Sequence, residues 1–359
     1  MEMNGLVSST QPTLKQISPK NKLQIVNWLL TRKCNLNCSY CGLVKNPLTK
    51  KYSGIKHYHA NEMSPLYIKS CLIEAYRINP HCFHIFYGGE PFLYPYLDEV
   101  ILFCNQNNIY YTIITNNTDK IKPLIKKVLN KVERFFGLSA SIDPIIYTDN
   151  TELKLSDRYK KSIAGLQNLK ALKPFVDDLV AEITIDASNI KSVYKLVEHL
   201  SENGIWASIT FIDVQKNKYY DFSNISQSKV ELQNIIISQT DEVYDLLQSM
   251  INAGFLIHMG EDLLDRIYNI LPYNLDCKLE EYNHNLTIDA DGTLRLCLRI
   301  KGVESQKYKA LDYFLNFETC HSAMIKDKKN YCNGCCWTCP IMSRLAVEED
   351  MVTDILHNS

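Results

Sequence analysis

The stretch NKLQIVNWLLTRKCNLNCSYC, residues 21–41, joins two signals that decide little apart and much together. Its first half, residues 23–30, is a short apolar run rich in Leu, Ile, Val and Trp, and it reads as a buried β-strand. Its second half sets Cys34, Cys38 and Cys41 four and three residues apart directly after that strand. Three thiolates so spaced can converge on one side of a tight loop, and soft thiolates select zinc, copper(I) or iron–sulfur centres. Three are one short of closing a four-iron cluster, so one iron stays open to an external ligand. The competing reading is a structural zinc knuckle with a distant fourth ligand.

Outward from this stretch the same grammar repeats. Apolar β-type runs at 23–30, 82–87, 110–115, 134–142, 179–185 and 206–212 alternate with helical patterns at 65–77, 96–105, 121–132, 158–172 and 190–202. In the last of these, Ile190, Val193, Tyr194, Val197 and Leu200 share one helical face, with Lys191, Lys195 and Glu198 outside, and Gly204 stands where a C′ residue ends the helix. Strict alternation predicts an α/β fold: a parallel sheet with helices outside, closed or partly closed as a barrel, with its chemistry at the C-terminal ends of the strands. The expected organisation is a loose arm at 1–21, a partial barrel at 22–255 and a cysteine-rich appendage at 256–359.

Composition narrows the class. The chain has 359 residues, 39 Lys plus Arg against 40 Asp plus Glu, and 46% hydrophobic residues. Near-neutral charge argues against a nucleic-acid partner held by bulk positive charge. No apolar run approaches the roughly 18 residues that span a bilayer, and the first residues lack a secretory apolar core, so a cytoplasmic protein without a membrane partner is expected. The 13 cysteines are odd in number and clustered. In such a compartment that favours metal ligation over disulfides. Cys71, Cys82 and Cys104 fall within helix or strand patterns and read as small core residues.

The motif CNLNCSYC, with the aromatic Tyr40 before its third cysteine, resembles the CxxxCxxC signature of the radical S-adenosylmethionine (SAM) enzymes. Gly88-Gly89-Glu90-Pro91, after the second strand, is similar to that family's GGEP segment. Its glycines permit close backbone approach, and its carbonyls and Glu90 are able to accept hydrogen bonds from an ammonium group. Asn116, with Asn117, ends the third strand, and Ser141-Ile142-Asp143 ends the fourth in the manner of the family's SxDG segment, departing from it at Pro144. Arg158 matches a downstream arginine able to pair with a carboxylate. The resemblance implies a (β/α)6 partial barrel and a [4Fe-4S] cluster on Cys34, Cys38 and Cys41. SAM is then held by Tyr40, Gly88, Gly89, Glu90, Pro91, Asn116, Ser141, Asp143 and Arg158. Asn189 resembles a further family position. Turn-forming asparagines, an ordinary glycine turn and a surface salt bridge are the plain alternatives.

A second constellation runs from Cys277 through a hairpin pattern, 286–289 and 293–298 around Asp291-Gly292, to Cys297, Cys332, Cys335, Cys336 and Cys339. It resembles the C-terminal extension called SPASM, or its shorter form twitch, which holds auxiliary [4Fe-4S] clusters. Seven cysteines, counting Cys320, favour a single cluster on Cys277, Cys297, Cys332 and Cys335, with Cys339 the main competitor and structural zinc the other possibility. Leu298 stands where some relatives have an acidic base, so no general base is assigned, although Asp289, Asp291 and Arg299 lie close in sequence.

The resemblance implies reductive cleavage of SAM to methionine and a 5′-deoxyadenosyl radical that removes hydrogen from a substrate, with flavodoxin or ferredoxin as the type of electron donor. A ribosomally made peptide is the first expectation for that substrate. A sugar or other small molecule undergoing dehydrogenation or epimerisation is the second. Only about 33 residues precede Cys34, too few for a leader-binding winged helix plus the first strand. A non-catalytic zinc-binding scaffold is the reading from another class.

Overall fold

In the computed structural model, residues 23–36, 62–142, 157–185, 190–211, 240–258, 285–295 and 304–331 are described. Six strands run parallel: β1 (Ile25–Thr31), β2 (Phe83–Gly88), β3 (Tyr111–Thr115), β4 (Phe135–Ile142), β5 (Val176–Ile185) and β6 (Trp206–Phe211). The helices between them are α1 (Pro65–Ile78), α2 (Leu97–Gln106), α3 (Lys122–Val132), α4 (Asp157–Leu172) and α5 (Ile190–Glu202). The expected alternation is therefore present, as an α/β fold with a parallel-rich sheet. Among the described residues no helix is long and apolar enough to cross a membrane.

Period-two alternation sorts the strands into two faces. Val26, Trp28 and Leu30 of β1 share the helix-side core with Phe86, Ile113, Leu138, Ala140, Ala181, Ile183, Ala207 and Ile209 of the following strands. Ile68, Cys71, Leu72 and Ala75 of α1 pack into the same core, which also takes in Cys82 and Cys104. Each aliphatic or aromatic side chain removed from water here contributes roughly 1.5–3 kcal/mol. One polar pair is folded in: the Trp28 indole donates to His84 Nδ1 at 3.1 Å. Burial pushes the His84 pKa down to about 3, so the ring stays neutral and accepts that bond.

The other face differs in chemistry. By register it carries Asn27, Thr112, Ser139, Ser141, Glu182, Thr184, Ser208 and Thr210. A parallel sheet buried against helices on both sides would be apolar on both. Here that face is mixed: Leu29, Ile85, Ile114 and Val180 are apolar, while the polar groups gather toward the C-terminal halves of β4, β5 and β6.

After α6 (Thr240–Asn252), strands β7 (Asn285–Ile288) and β8 (Leu294–Arg295) form the hairpin expected around Asp291-Gly292. Its place in the sheet was not legible. β7 joins the free edge of β1 in parallel, giving the order β6-β5-β4-β3-β2-β1-β7-β8. Two forces act together: β1 offers unpaired backbone groups on that edge, and Leu286 and Ile288 extend its apolar face. Helices α7 (Ala310–Leu315) and α8 (Phe317–Tyr331) follow, and Cys320 of α8 is buried with Met324 in the hydrophobic core.

α5 ends as its sequence indicates. Gly204 is at φ +61°, and its N–H bonds the Ser201 carbonyl at 2.9 Å. At the other key glycines the reason is proximity. An added Cβ on Gly89 would sit 2.0 Å from the Lys33 carbonyl oxygen, and one on Gly88 2.4 Å from that of Thr31. Gly165 in α4 is the contrast, since its nearest neighbour would lie at 3.7 Å.

Substitution at these two glycines should therefore move stability in opposite directions. Gly89→Ala is expected to lose about 1–3 kcal/mol through backbone overlap, and Gly165→Ala to gain up to about 1 kcal/mol through helix propensity. Urea unfolding of both proteins checks the pair, and equal midpoints would contradict the close approach at Gly89.

Candidate active site

The loop after β1 is held by a ladder that continues past the ends of the strands. Gly89 N–H donates to the Thr31 carbonyl at 2.8 Å and Glu90 N–H to the Lys33 carbonyl at 2.7 Å. Cys34 follows at once, half-buried, with the Leu36 N–H 3.4 Å from its Sγ. The glycines of the Gly88–Pro91 segment are thus explained by the chain itself: they let the second strand's exit lie against the cysteine loop. Pro91 opens a 3-10 turn, Pro91–Leu93, that carries the backbone away toward α2.

Glu90 is fully buried. Its Oε1 accepts from the Phe92 N–H at 3.2 Å and the Thr115 hydroxyl at 2.9 Å, and its Oε2 from the Asn116 N–H at 2.8 Å. Burial pushes its pKa up to about 7, and these three donors limit the rise. One carboxylate therefore ties the exit of β2 to the exit of β3. From there the Asn116 side-chain amide reaches back to the cysteine loop, with Nδ2 2.7 Å from Asn35 Oδ1 and 3.8 Å from Cys34 Sγ. Asn35 Nδ2 in turn donates to the Thr118 hydroxyl at 2.8 Å.

On the opposite flank, Arg32 donates to both carboxylate oxygens of Asp289, at 2.6 and 2.5 Å, and Arg295 of β8 pairs with the same carboxylate. Lys33 and Thr31 both bond Glu62, at 3.1 and 2.6 Å. Charged groups largely withdrawn from water gain little net stability from pairing, but they fix geometry. Here they orient the strip 31–33 from which the cysteine loop departs.

The structure brings Cys34, Gly88, Gly89, Glu90, Pro91 and Asn116 to one end of the sheet. Ser141 stands exposed near the end of β4. Asn117, by contrast, turns away: it is buried at φ +47°, donates to the Gly165 carbonyl at 2.8 Å and docks the β3 exit on α4. Cys38, Tyr40, Cys41, Asp143, Asn189, the side chain of Arg158, and Cys277, Cys297, Cys332, Cys335, Cys336 and Cys339 lie outside the described residues.

Sequence reading passed over several participants. Asn35 is an unconstrained position within the cysteine spacing, and Arg32 carries no motif that singles it out. Glu182 stands on the polar face of β5 beside Ser141 in register and accepts from Ser208 and Ser139, while burial pushes its pKa up to about 7. Its only trace in the sequence is one acid at an inward position of an otherwise apolar run. Cys34 Sγ meets two N–H donors, which suits a metal-bound thiolate.

Comparison with known proteins agrees with this arrangement. Residues 28–173 match the family model described as the Radical SAM superfamily. Two curated proteins are similar over about half of the chain. The Fe-coproporphyrin III synthase of Methanosarcina barkeri is 25% identical over 52% of this chain and 43% of its own length. The S-adenosylmethionine-dependent nucleotide dehydratase of Psychrobacter lutiphocae is 22% identical over 55% and 68%. In fold, the chain is similar to Streptococcus suis SuiB bound to precursor peptide SuiA, with a TM-score of 0.56 and 14% identity over 84% of this chain and 66% of that one. The chain thus spans less than half the length of the first curated relative and about two thirds of SuiB.

The two buried carboxyls give this region a pH signature. Glu90 and Glu182 both titrate above their ordinary 4.5, so between about pH 4.5 and 7 the folded chain binds more protons than the unfolded one. Their contribution to stability is therefore full below about pH 4.5 and is lost as pH rises toward 7. Glu182→Gln should flatten its share of that fall in denaturant titrations across pH 5–8. Parallel pH profiles for parent and variant would contradict the buried state of Glu182.

Proposed function

We propose that this chain, whose residues 28–173 match the Radical SAM superfamily model, reductively cleaves SAM at a four-iron cluster and removes a hydrogen atom from a substrate peptide. The observation that carries the reading is convergence. Cys34, the Gly88–Pro91 turn and Asn116 are bonded into one unit at the C-terminal end of a parallel sheet. That is the end where α/β barrels assemble their chemistry.

Cys34, Cys38 and Cys41 would hold the cluster, and the family implies both the cluster and SAM. When bound, that pair supplies the electron transfer and the 5′-deoxyadenosyl radical. The chain's own residues do the rest. Glu90 spends its carboxylate on Phe92, Thr115 and Asn116, so it positions the β3 exit, and the acceptors offered to the amine of SAM are backbone carbonyls of the glycine turn. Tyr40 and Pro91 are assigned to the same cofactor site. Ser141, Asp143 and Arg158, at and after the end of β4, are assigned to the carboxylate side of SAM. The polar part of the inner face, with Ser139, Glu182, Ser208 and Thr210, receives the substrate.

The peptide is supported by the fold shared with SuiB, which was solved with a precursor peptide. A small-molecule substrate is the second reading, favoured by the two curated relatives, which are named for a porphyrin and for nucleotides. The cysteines of the C-terminal part, Cys277, Cys297, Cys332 and Cys335 with Cys339 as competitor, are assigned to an auxiliary four-iron cluster in a twitch-like unit. A flavodoxin or ferredoxin is the assigned electron donor and the cytoplasm the assigned compartment.

Anaerobic reconstitution with iron and sulfide, followed by SAM and dithionite, is expected to give a brown protein that releases 5′-deoxyadenosine. Cys34→Ala should reduce that release to background, whereas Cys297→Ala should keep part of it. A colourless, zinc-loaded protein would favour the scaffold reading instead, and a fully active Cys34→Ala protein would overturn the site.

A further inference from the structure

The Asn116 side chain is held from every side. Its backbone N–H is fixed by the buried Glu90 carboxylate at 2.8 Å, and its Oδ1 accepts from the Thr118 N–H at 3.3 Å. Its Nδ2 faces Asn35 Oδ1 at 2.7 Å and Cys34 Sγ at 3.8 Å. Asn35 Nδ2 lies 2.8 Å from the Thr118 hydroxyl, which can accept or donate, so the fixed reference for the network is the Thr118 backbone N–H that meets Asn116 Oδ1. These contacts select one orientation of Asn116. The flipped amide would put an oxygen against both the Asn35 oxygen and the sulfur, and would set two N–H donors against each other at Thr118. The amide has two hydrogens, so one serves Asn35 and the other points at the thiolate.

We propose that Asn116 is a positioning residue that sets the reduction potential of the centre bound by Cys34, through an N–H···S hydrogen bond held in place by Glu90 and Asn35. This rests on Cys34 being a cluster ligand, as proposed above. A donor on a ligand sulfur stabilises the more negative, reduced state, so it raises the potential. The Leu36 N–H at 3.4 Å acts on the same sulfur, but it comes from the backbone of the loop itself. Asn116 is a side-chain donor, and it is delivered by a different strand.

The competing role is mechanical: Asn116 could serve only to lock Asn35 and so the loop. Two substitutions separate the roles. Asn116→Leu removes the donor at similar size, whereas Thr118→Val removes the bond that anchors Asn35 and leaves the Asn116 amide in place. The reduced cluster is titrated potentiometrically without SAM, with electron paramagnetic resonance as readout. Asn116→Leu should make one-electron reduction about tenfold less favourable, a midpoint about 59 mV more negative, and Thr118→Val should leave the midpoint in place. Equal shifts in both variants, or none in Asn116→Leu, overturn the proposal while the cluster reading stands. A parent protein that binds no cluster overturns both. Should the leucine variant not hold iron, the parent labelled with 15N in its asparagine side chains carries the test. An electron–nuclear coupling from a side-chain amide to the reduced cluster is expected, and its absence overturns the proposal.

Discussion

The site depends on one close approach: the backbone leaving β2 lies directly on the backbone leaving β1. Parallel strands normally diverge where their loops begin, since each must turn outward to its own helix. Here the ladder runs on through Gly89 to Thr31 and Glu90 to Lys33, and only residues without a Cβ fit at 88 and 89. The loop that begins at Cys34 gains a fixed starting point from this contact. Loops usually carry function at the cost of order; this one has its first turn tied to the sheet before it leaves it.

Glu90 carries the same constraint one strand further. Burying a carboxylate is costly unless donors meet it, and three donors from two different exits meet this one. The arrangement makes the ends of β1, β2 and β3 a single body, so a displacement of any one is felt at Cys34. On the far side, the Arg32–Asp289 pair does the same for β1 and β7, with Arg295 as a second cation on the acid. The start of the cysteine loop is thus braced from both flanks by ionisable groups that are largely withdrawn from water and paired with one another.

Strand and helix periodicity made most of the fold legible. The inward face of α5, the buried Cys71, Cys82 and Cys104, and the turn at Gly204 follow from local pattern alone. The pairing of β7 with β1 does not, because it joins residues some 260 positions apart and Leu286–Ile288 is too short to announce its partner. The site was legible as motifs but not as roles. Gly88 and Gly89 carry a signal of close approach, yet the sequence does not say to what, and the partner is the chain's own Thr31–Lys33. Glu90 reads as an exposed acceptor because burial is a property of the whole sheet. Asn116 and Asn117 are neighbours of one type with opposite tasks, one turned toward Cys34 and the other toward α4, and only the φ of +47° at Asn117 separates them.

The two faces of the sheet explain why such a site tolerates a polar interior. The helix side is closed with apolar groups and one neutral histidine, so stability rests there. The inner side is left free to carry Ser139, Ser141, Glu182, Ser208 and Thr210, groups that would weaken a core if they stood in one. Glu182 shows the division at one residue. Its neighbours in sequence, Ala181 and Ile183, are fully buried among helices, while its carboxyl rests on two serine hydroxyls of the adjacent strands. A hydrogen-bonded acid with a pKa near neutrality, one strand from Ser141, can gain or lose its proton without disturbing the apolar side of the strand that holds it.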